Sequence, residues 1–458
     1  MSTDARDHKV NRIESYWLLG ILSAVVCEGA LRKWVLPGEL HPVAFFSKDI
    51  VGLGYIFYHT NRTKSDKSVL LKLLSYISAI LLILSFLQGL GGIWQSAVIT
   101  YKNIVLWPLI AANISFNTRK QTWQFIATAI AFITLGMFVL GGKQFVSPAS
   151  SWLNQYAWTV AGLDSPVATF GGITGVRATG TFSYISGMSE FAVFSFIICL
   201  YGLLNESKFR QKVLLIGGCS AAIGCGVESG SRASLVLIVF VGVITLLVNL
   251  SQIKTIICIV LFFILSVIFA SVTLDKQAKE QYLRRWTLNP DETLRRFTNE
   301  GLRGNYWEML CANPTGVGLG QVNGYAVFTI SQQNRSVETN LYEDGASMAI
   351  HEAGVLGVLA FCLVPSVLGI KVLAALTCRN ASVRVITGMF GVVPLVGLMA
   401  GVWHDHNNTA FTWLQIAIWS CLSEEVLRRG CRNSSIVARE GGNIAEGGPR
   451  ETGPLIVR

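Results

Sequence analysis

The feature that most limits what this chain can become is its division into long apolar blocks. They lie near 16–36, 43–58, 69–88, 96–114, 122–141, 187–204, 213–229, 233–250, 255–273, 345–374, 383–403 and 409–427. Most run uncharged or nearly so for roughly 18 to 22 residues, the length a helix needs to cross a bilayer. Of the 458 residues 52% are apolar and 14% charged, and mean hydropathy is +0.50. These values exclude an ordinary soluble enzyme. The chain reads as an all-α polytopic membrane protein with about 12 transmembrane helices. The second block is short enough for a re-entrant segment.

A net charge of +10 would suit nucleic acid, but the 37 Lys and Arg lie mostly between the apolar blocks rather than in one basic stripe. They act as topology signals, and no nucleic-acid partner is expected. Basic residues mark alternate short loops: Arg62, Lys64 and Lys67; Arg119 and Lys120; Lys208, Arg210 and Lys212; Lys254; Arg379. The opposite short loops, 89–95 and 403–408, carry neither Lys nor Arg. The positive-inside rule then puts both termini in the cytoplasm. Ten cysteines include no CxxC pair and fall mainly in or beside apolar blocks, where they serve as small packers. The polar first residues precede no small-residue cleavage pattern, so no removed signal peptide is expected.

The resulting organisation is a cytoplasmic N-terminal tail (1–15), nine spans over 16–273 that include an outer loop (142–186), a large periplasmic loop (274–344), three further spans (345–427) and a disordered cytoplasmic tail (428–458). The large loop mixes both signs of charge with aromatic residues. Amphipathic helices are expected over 275–287 and 291–311, broken at Pro290 and stopped before Pro314 and the glycines Gly316, Gly318 and Gly320.

Several constellations could carry chemistry. Arg177 stands in Val176–Ser183, among glycine and hydroxyl residues that let a backbone approach a phosphate. Its ordinary alternative is a snorkelling loop arginine. The turn Glu228–Ala233 places Arg232 on the same face by the parity of the topology, so two arginines could share a diphosphate; alternatively Arg232 pairs with Glu228. Asn313–Gln321 lacks the ending of a P-loop and reads as a flexible turn, or as backbone N–H groups near an anion. At the entry to the tenth span, Glu343 and His351 are candidate general bases. On a continuous helix they stand about 80° apart and ~12 Å along the axis, so they cannot serve the same atom. Glu28 lies four residues before Arg32, a structural pair within the first span, and Lys48–Asp49 adds charge to the second. His404-Asp405-His406 lacks a third ligand, and no metal is expected.

The run Glu28-Gly29-Ala30-Leu31-Arg32-Lys33-Trp34, the Arg177–Phe182 segment, Ser231-Arg232, the Gly316–Gly320 turn and Glu352-Ala353-Gly354-Val355-Leu356-Gly357, in this order around a long loop, resemble the O-antigen ligase and O-antigen polymerase superfamily of bacterial membrane glycosyltransferases. The resemblance implies a C-type glycosyltransferase architecture and an inner-membrane location with the active site on the periplasmic face. It also implies a glycan donor on undecaprenyl diphosphate and inverting transfer without metal or other cofactor. By that resemblance Arg177 and Arg232 hold the diphosphate, with Arg284 or Arg285 assisting. Many ligases of the superfamily carry His-Asn about nine residues before the Glu-x-Gly element, where this chain has Glu343-Asp344. The expected base is therefore Glu343, with His351 as an offset substitute, and the departure favours a polymerase of surface polysaccharide (O-antigen or exopolysaccharide) over a ligase acting on a lipid A core. Expected partners are the lipid-linked glycan, membrane lipid, and the chain-length regulator and flippase of the same pathway. A lipid-linked sugar transporter and a non-enzymatic scaffold are the rival classes.

Overall fold

The computed structural model describes residues 3–60, 69–114, 120–156, 159–160, 163–164, 167–170, 176–205, 208–248, 306–321, 345–378, 381–399 and 408–423, with scattered positions between 257 and 283. Apart from one two-residue strand pair, β1 (Thr159–Val160) against β2 (Leu163–Asp164), and an isolated bridge from Thr169 to Val176, its regular structure is helical. In chain order the helices are α1 (Thr3–Ala30), α2 (His41–Thr60), α3 (Val69–Leu90), α4 (Trp94–Asn113), α5 (Lys120–Val146), α6 (Ile185–Asn205), α7 (Phe209–Ser229) and α8 (Arg232–Val248). Then come α9 (Tyr306–Ala312), α10 (Gly345–Leu376), α11 (Ala381–Thr387), α12 (Val393–Met399) and α13 (408–423).

Every block read as a span coincides with a helix except 255–273, which lies largely outside the described residues. Among the described residues five stretches are long and apolar enough to cross a membrane: Lys72–Leu90, Trp123–Val146, Ile185–Asn205, Phe209–Ser229 and Ser347–Leu376. The chain is thus a helical membrane protein by length and composition. The first helix begins at Thr3 and runs through the polar residues assigned to a tail. The second is a full helix of 20 residues. Of the two helices expected in the large loop, the first is described only at Lys276, Lys279, Glu280 and Leu283, which are helical and exposed, and the second only at its end, as α9, which stops before Pro314.

Helix α6 forms the centre, and large apolar residues on both sides of it (Phe191, Phe194, Phe196, Ile197) are buried. It packs on α5, α7 and α8. Small residues allow this close approach: a Cβ on Gly218 would meet Ala131 and Cys199, and one on Gly202 would meet Ala127. The outer helices instead present large apolar side chains outward, for example Phe57, Ile80, Val236 and Ile370. Short reversals at 36–40, 91–93 and 230–231 join consecutive helices, so one end of the bundle collects these turns with the segment before α6, the 313–321 loop and the start of α10.

Candidate functional site

At that end the segment from Val176 to Ser183 is tied on several sides. Tyr156 O–H, buried so that its phenol pKa is pushed up, accepts from Ala168 N at 3.0 Å. Ala168 O in turn accepts from Arg177 N at 2.9 Å. On the α7 side Ala178 N donates to Glu228 O at 3.0 Å, and Arg177 Nε donates to Ser229 O at 3.0 Å. Gly230 ends α7 in the left-handed region (φ 64°), which turns the chain sharply into α8 at Arg232. The two half-buried arginines singled out in the sequence therefore lie on adjoining backbone. Glu228 and Arg232 do not form an ion pair. The Glu228 carboxyl is buried against Gly141 and Gly142 of α5, and its Oε2 has no hydrogen-bond partner among the described residues.

A residue the sequence did not reveal, Gln144 of α5, shapes the same segment. Its Oε1 accepts from Thr179 N (3.1 Å) and Gly180 N (2.7 Å), while its Nε2 donates to Gly180 O (3.0 Å) and Leu153 O (2.9 Å). Gly180 has φ 55°, and Met137 and Met188 fill the space where a Cβ would go. The opposite flank is α1. A Cβ on Gly29 would overlap the backbone of Thr181 and Phe182, so only glycine lets the helix reach the loop there.

Beyond Gly29, α1 widens into a π-turn, Leu31–Val35, closed by Leu36 N donating to Leu31 O at 2.8 Å. The widened turn buries two consecutive cations, Arg32 and Lys33. Arg32 meets Glu28 at 2.8 Å, as the four-residue spacing predicted, and donates to Ser183 Oγ at 3.2 Å. The other Glu28 oxygen takes Lys48 of α2 at 3.0 Å. Asp49 reaches across to Lys102 of α4 at 2.8 Å. Arg32, Lys48 and Lys102 all approach the Phe45 ring, at 5.2, 5.9 and 5.1 Å from its centroid. Lys33 differs: its ammonium donates to Thr179 Oγ1 at 2.6 Å and to Gly180 O at 3.3 Å, and no described carboxylate pairs with it.

The candidate base Glu343 and the arginines Arg284 and Arg285 lie outside the described residues, as does His404–His406. His351 is half-buried on α10, near a break in that helix at Gly354 (φ 56°, ψ −135°). The break is filled by the glycine turn. Val317 N donates to His351 O, Gly318 N to Glu352 O, and Val355 N to Pro314 O, each at 2.9 Å, while Leu319 N donates to Ser85 O of α3 at 2.9 Å. The turn is thus docked against α3 and α10 rather than a free connector, and three of its N–H groups face helix carbonyls instead of an anion. The N–H groups of Val317, Gly318 and Leu319 are taken by helix carbonyls and that of Gly316 by Asn313 O, and Gly316, Gly318 and Gly320 are needed because each lies against backbone.

Together these observations define a mostly helical membrane protein with a cation-rich, polar cluster at one end of its bundle. Protein-family models, curated proteins and solved structures offer no match to the chain.

Proposed function

We propose that this protein is a twelve-span inner-membrane polymerase joining undecaprenyl-diphosphate-linked oligosaccharide repeats on the non-cytoplasmic face, with both termini in the cytoplasm. The observation that carries the reading is the junction of Arg177 with Ser229, residues 52 apart in sequence. It brings Arg177 beside the Ser231-Arg232 turn, so two guanidinium-bearing segments adjoin as diphosphate recognition requires.

In the reaction the acceptor hydroxyl oxygen attacks the anomeric carbon of the donor as the bond to the diphosphate oxygen breaks. The hydroxyl proton passes to the Glu343 carboxylate. Arg177 and Arg232 stabilise the negative charge that develops on the departing diphosphate, with Arg284 or Arg285 assisting. Inversion follows from attack opposite the leaving group.

The test is mass analysis of products after purified protein is incubated with a lipid-diphosphate-linked repeat unit. Wild type is expected to give a ladder of lengthened lipid-linked glycans, and Glu343→Gln and Arg177→Ala to lose it. Donor consumption only on addition of a separate acceptor lipid would make the protein a ligase. No consumption under either condition would refute enzymatic transfer and favour transport or scaffolding.

A further inference from the structure

The charges buried at the end of α1 fall into two kinds. Glu28 is saturated by Arg32 and Lys48, and Asp49 is engaged by Lys102. Lys33 is 7% exposed, and among the described residues its ammonium has a hydroxyl and a carbonyl as hydrogen-bond partners, Thr179 Oγ1 and Gly180 O, and lies 5.5 Å from the centroid of the Trp34 ring, while the attraction of Glu28 reaches it from beyond ion-pair distance. Burying a cation without a directly paired counter-charge is costly, and an ionisable residue in a membrane segment points to a specific partner. Two structural devices serve to put Lys33 there. The π-turn directs Arg32 and Lys33 inward together, and Gly29 lets α1 touch the 181–183 backbone. Such widened turns recur at functional positions.

The oxygens that hold Lys33 belong to residues two and three positions beyond Arg177. Lys33 approaches the segment from α1 while Arg177 is tied to the end of α7. On the polymerase reading above, which this inference deepens, we propose that Lys33 is a third cationic ligand of the donor's diphosphate, reaching it from the α1 side. On binding, a phosphate oxygen replaces the neutral oxygens around the ammonium and supplies a directly paired counter-charge.

A purely structural role, in which Lys33 pins the 179–180 loop, makes the opposite prediction for stability. Removing a pin lowers the stability of the ligand-free protein, whereas removing a buried charge that has no direct ion-pair partner does not. The full chain in nanodiscs, as wild type, Lys33→Met and Lys33→Arg, should be titrated with undecaprenyl diphosphate, undecaprenyl monophosphate and phosphatidylglycerol, and ligand-free thermal midpoints recorded. Wild type is expected to prefer the diphosphate. Lys33→Met should weaken diphosphate binding by about ten- to hundredfold, the worth of a charge-assisted hydrogen bond. Its ligand-free midpoint should be no lower than wild type, and Lys33→Arg should retain most of the affinity.

Tight diphosphate binding that Lys33→Met leaves unchanged would overturn the inference while the polymerase reading stands. A lowered midpoint or failure to fold in Lys33→Met would establish the pin and overturn it too. Wild-type protein that does not distinguish the diphosphate from phosphatidylglycerol would remove the polymerase reading, and this inference with it.

Discussion

Gln144→Leu isolates the contribution of one side chain to the architecture of the proposed donor site. The substitution keeps the approximate size but removes every polar atom. In the folded protein it strips partners from Thr179 N, Gly180 N and Leu153 O, while Gly180 O keeps Lys33. A buried polar group left unsatisfied costs about 1–3 kcal/mol, so three give about 3 kcal/mol at the low end, the appropriate end because a loop can open to water. Gln144→Glu preserves an acceptor for both N–H groups and loses only the donated bonds, so it should cost less. The assay is reversible unfolding in mixed detergent micelles, with donor extension measured in parallel. Because Arg177 lies two residues from the released segment, glycan extension should fall by about a hundredfold, as a displacement near 1 Å at a reacting site does. An unfolding free energy for Gln144→Leu within about 0.5 kcal/mol of wild type, the usual size of an innocuous surface change, would refute this account of the loop.

Two further predictions concern the scaffold. Lys102→Met should destabilise the protein by about 3–5 kcal/mol because it strands the buried Asp49 carboxylate, and the double variant with Asp49→Leu should recover most of that loss in the same unfolding assay. Gly354→Ala should lower the thermal midpoint sharply: the residue has φ 56°, and an added Cβ would overlap the Pro314 carbonyl, so the cost is expected at about 3 kcal/mol or more.

Hydropathy alone located the helices because burial in lipid or in protein both demand apolar length, whatever each side chain touches. The Glu28–Arg32 pair was equally legible, since spacing of four fixes neighbours on a helix regardless of tertiary structure. What escaped depends on elements distant in sequence. Nothing local marks Lys102 as the partner of Asp49, because that pairing requires α2 to lie against α4. Gln144 resembles any polar residue near a helix end until the 177–183 segment folds over it. The break at Gly354 was hidden for another reason. Glu352–Gly357 continues an apolar helical pattern, and only the docked 313–321 turn, supplying substitute partners for the interrupted backbone, makes the interruption tolerable.

Three of the helices carry buried charge where apolar residues would serve packing as well. Helices α1, α2 and α4 hold Glu28, Lys48, Asp49 and Lys102, and these charges dilute the apolar character of the stretches they occupy. A bundle needing only stability would fill those buried positions with apolar residues, since a buried ion pair replaced by well-packed hydrophobic groups is often neutral or stabilising. Here the pairs surround the π-turn that buries Arg32 and Lys33 beneath the Arg177 segment. Their cost is spread over three helices, and through Arg32 the Glu28 pair reaches Ser183 at the end of that segment. That link from ion pair to loop separates the network from scattered helix-to-helix pairs.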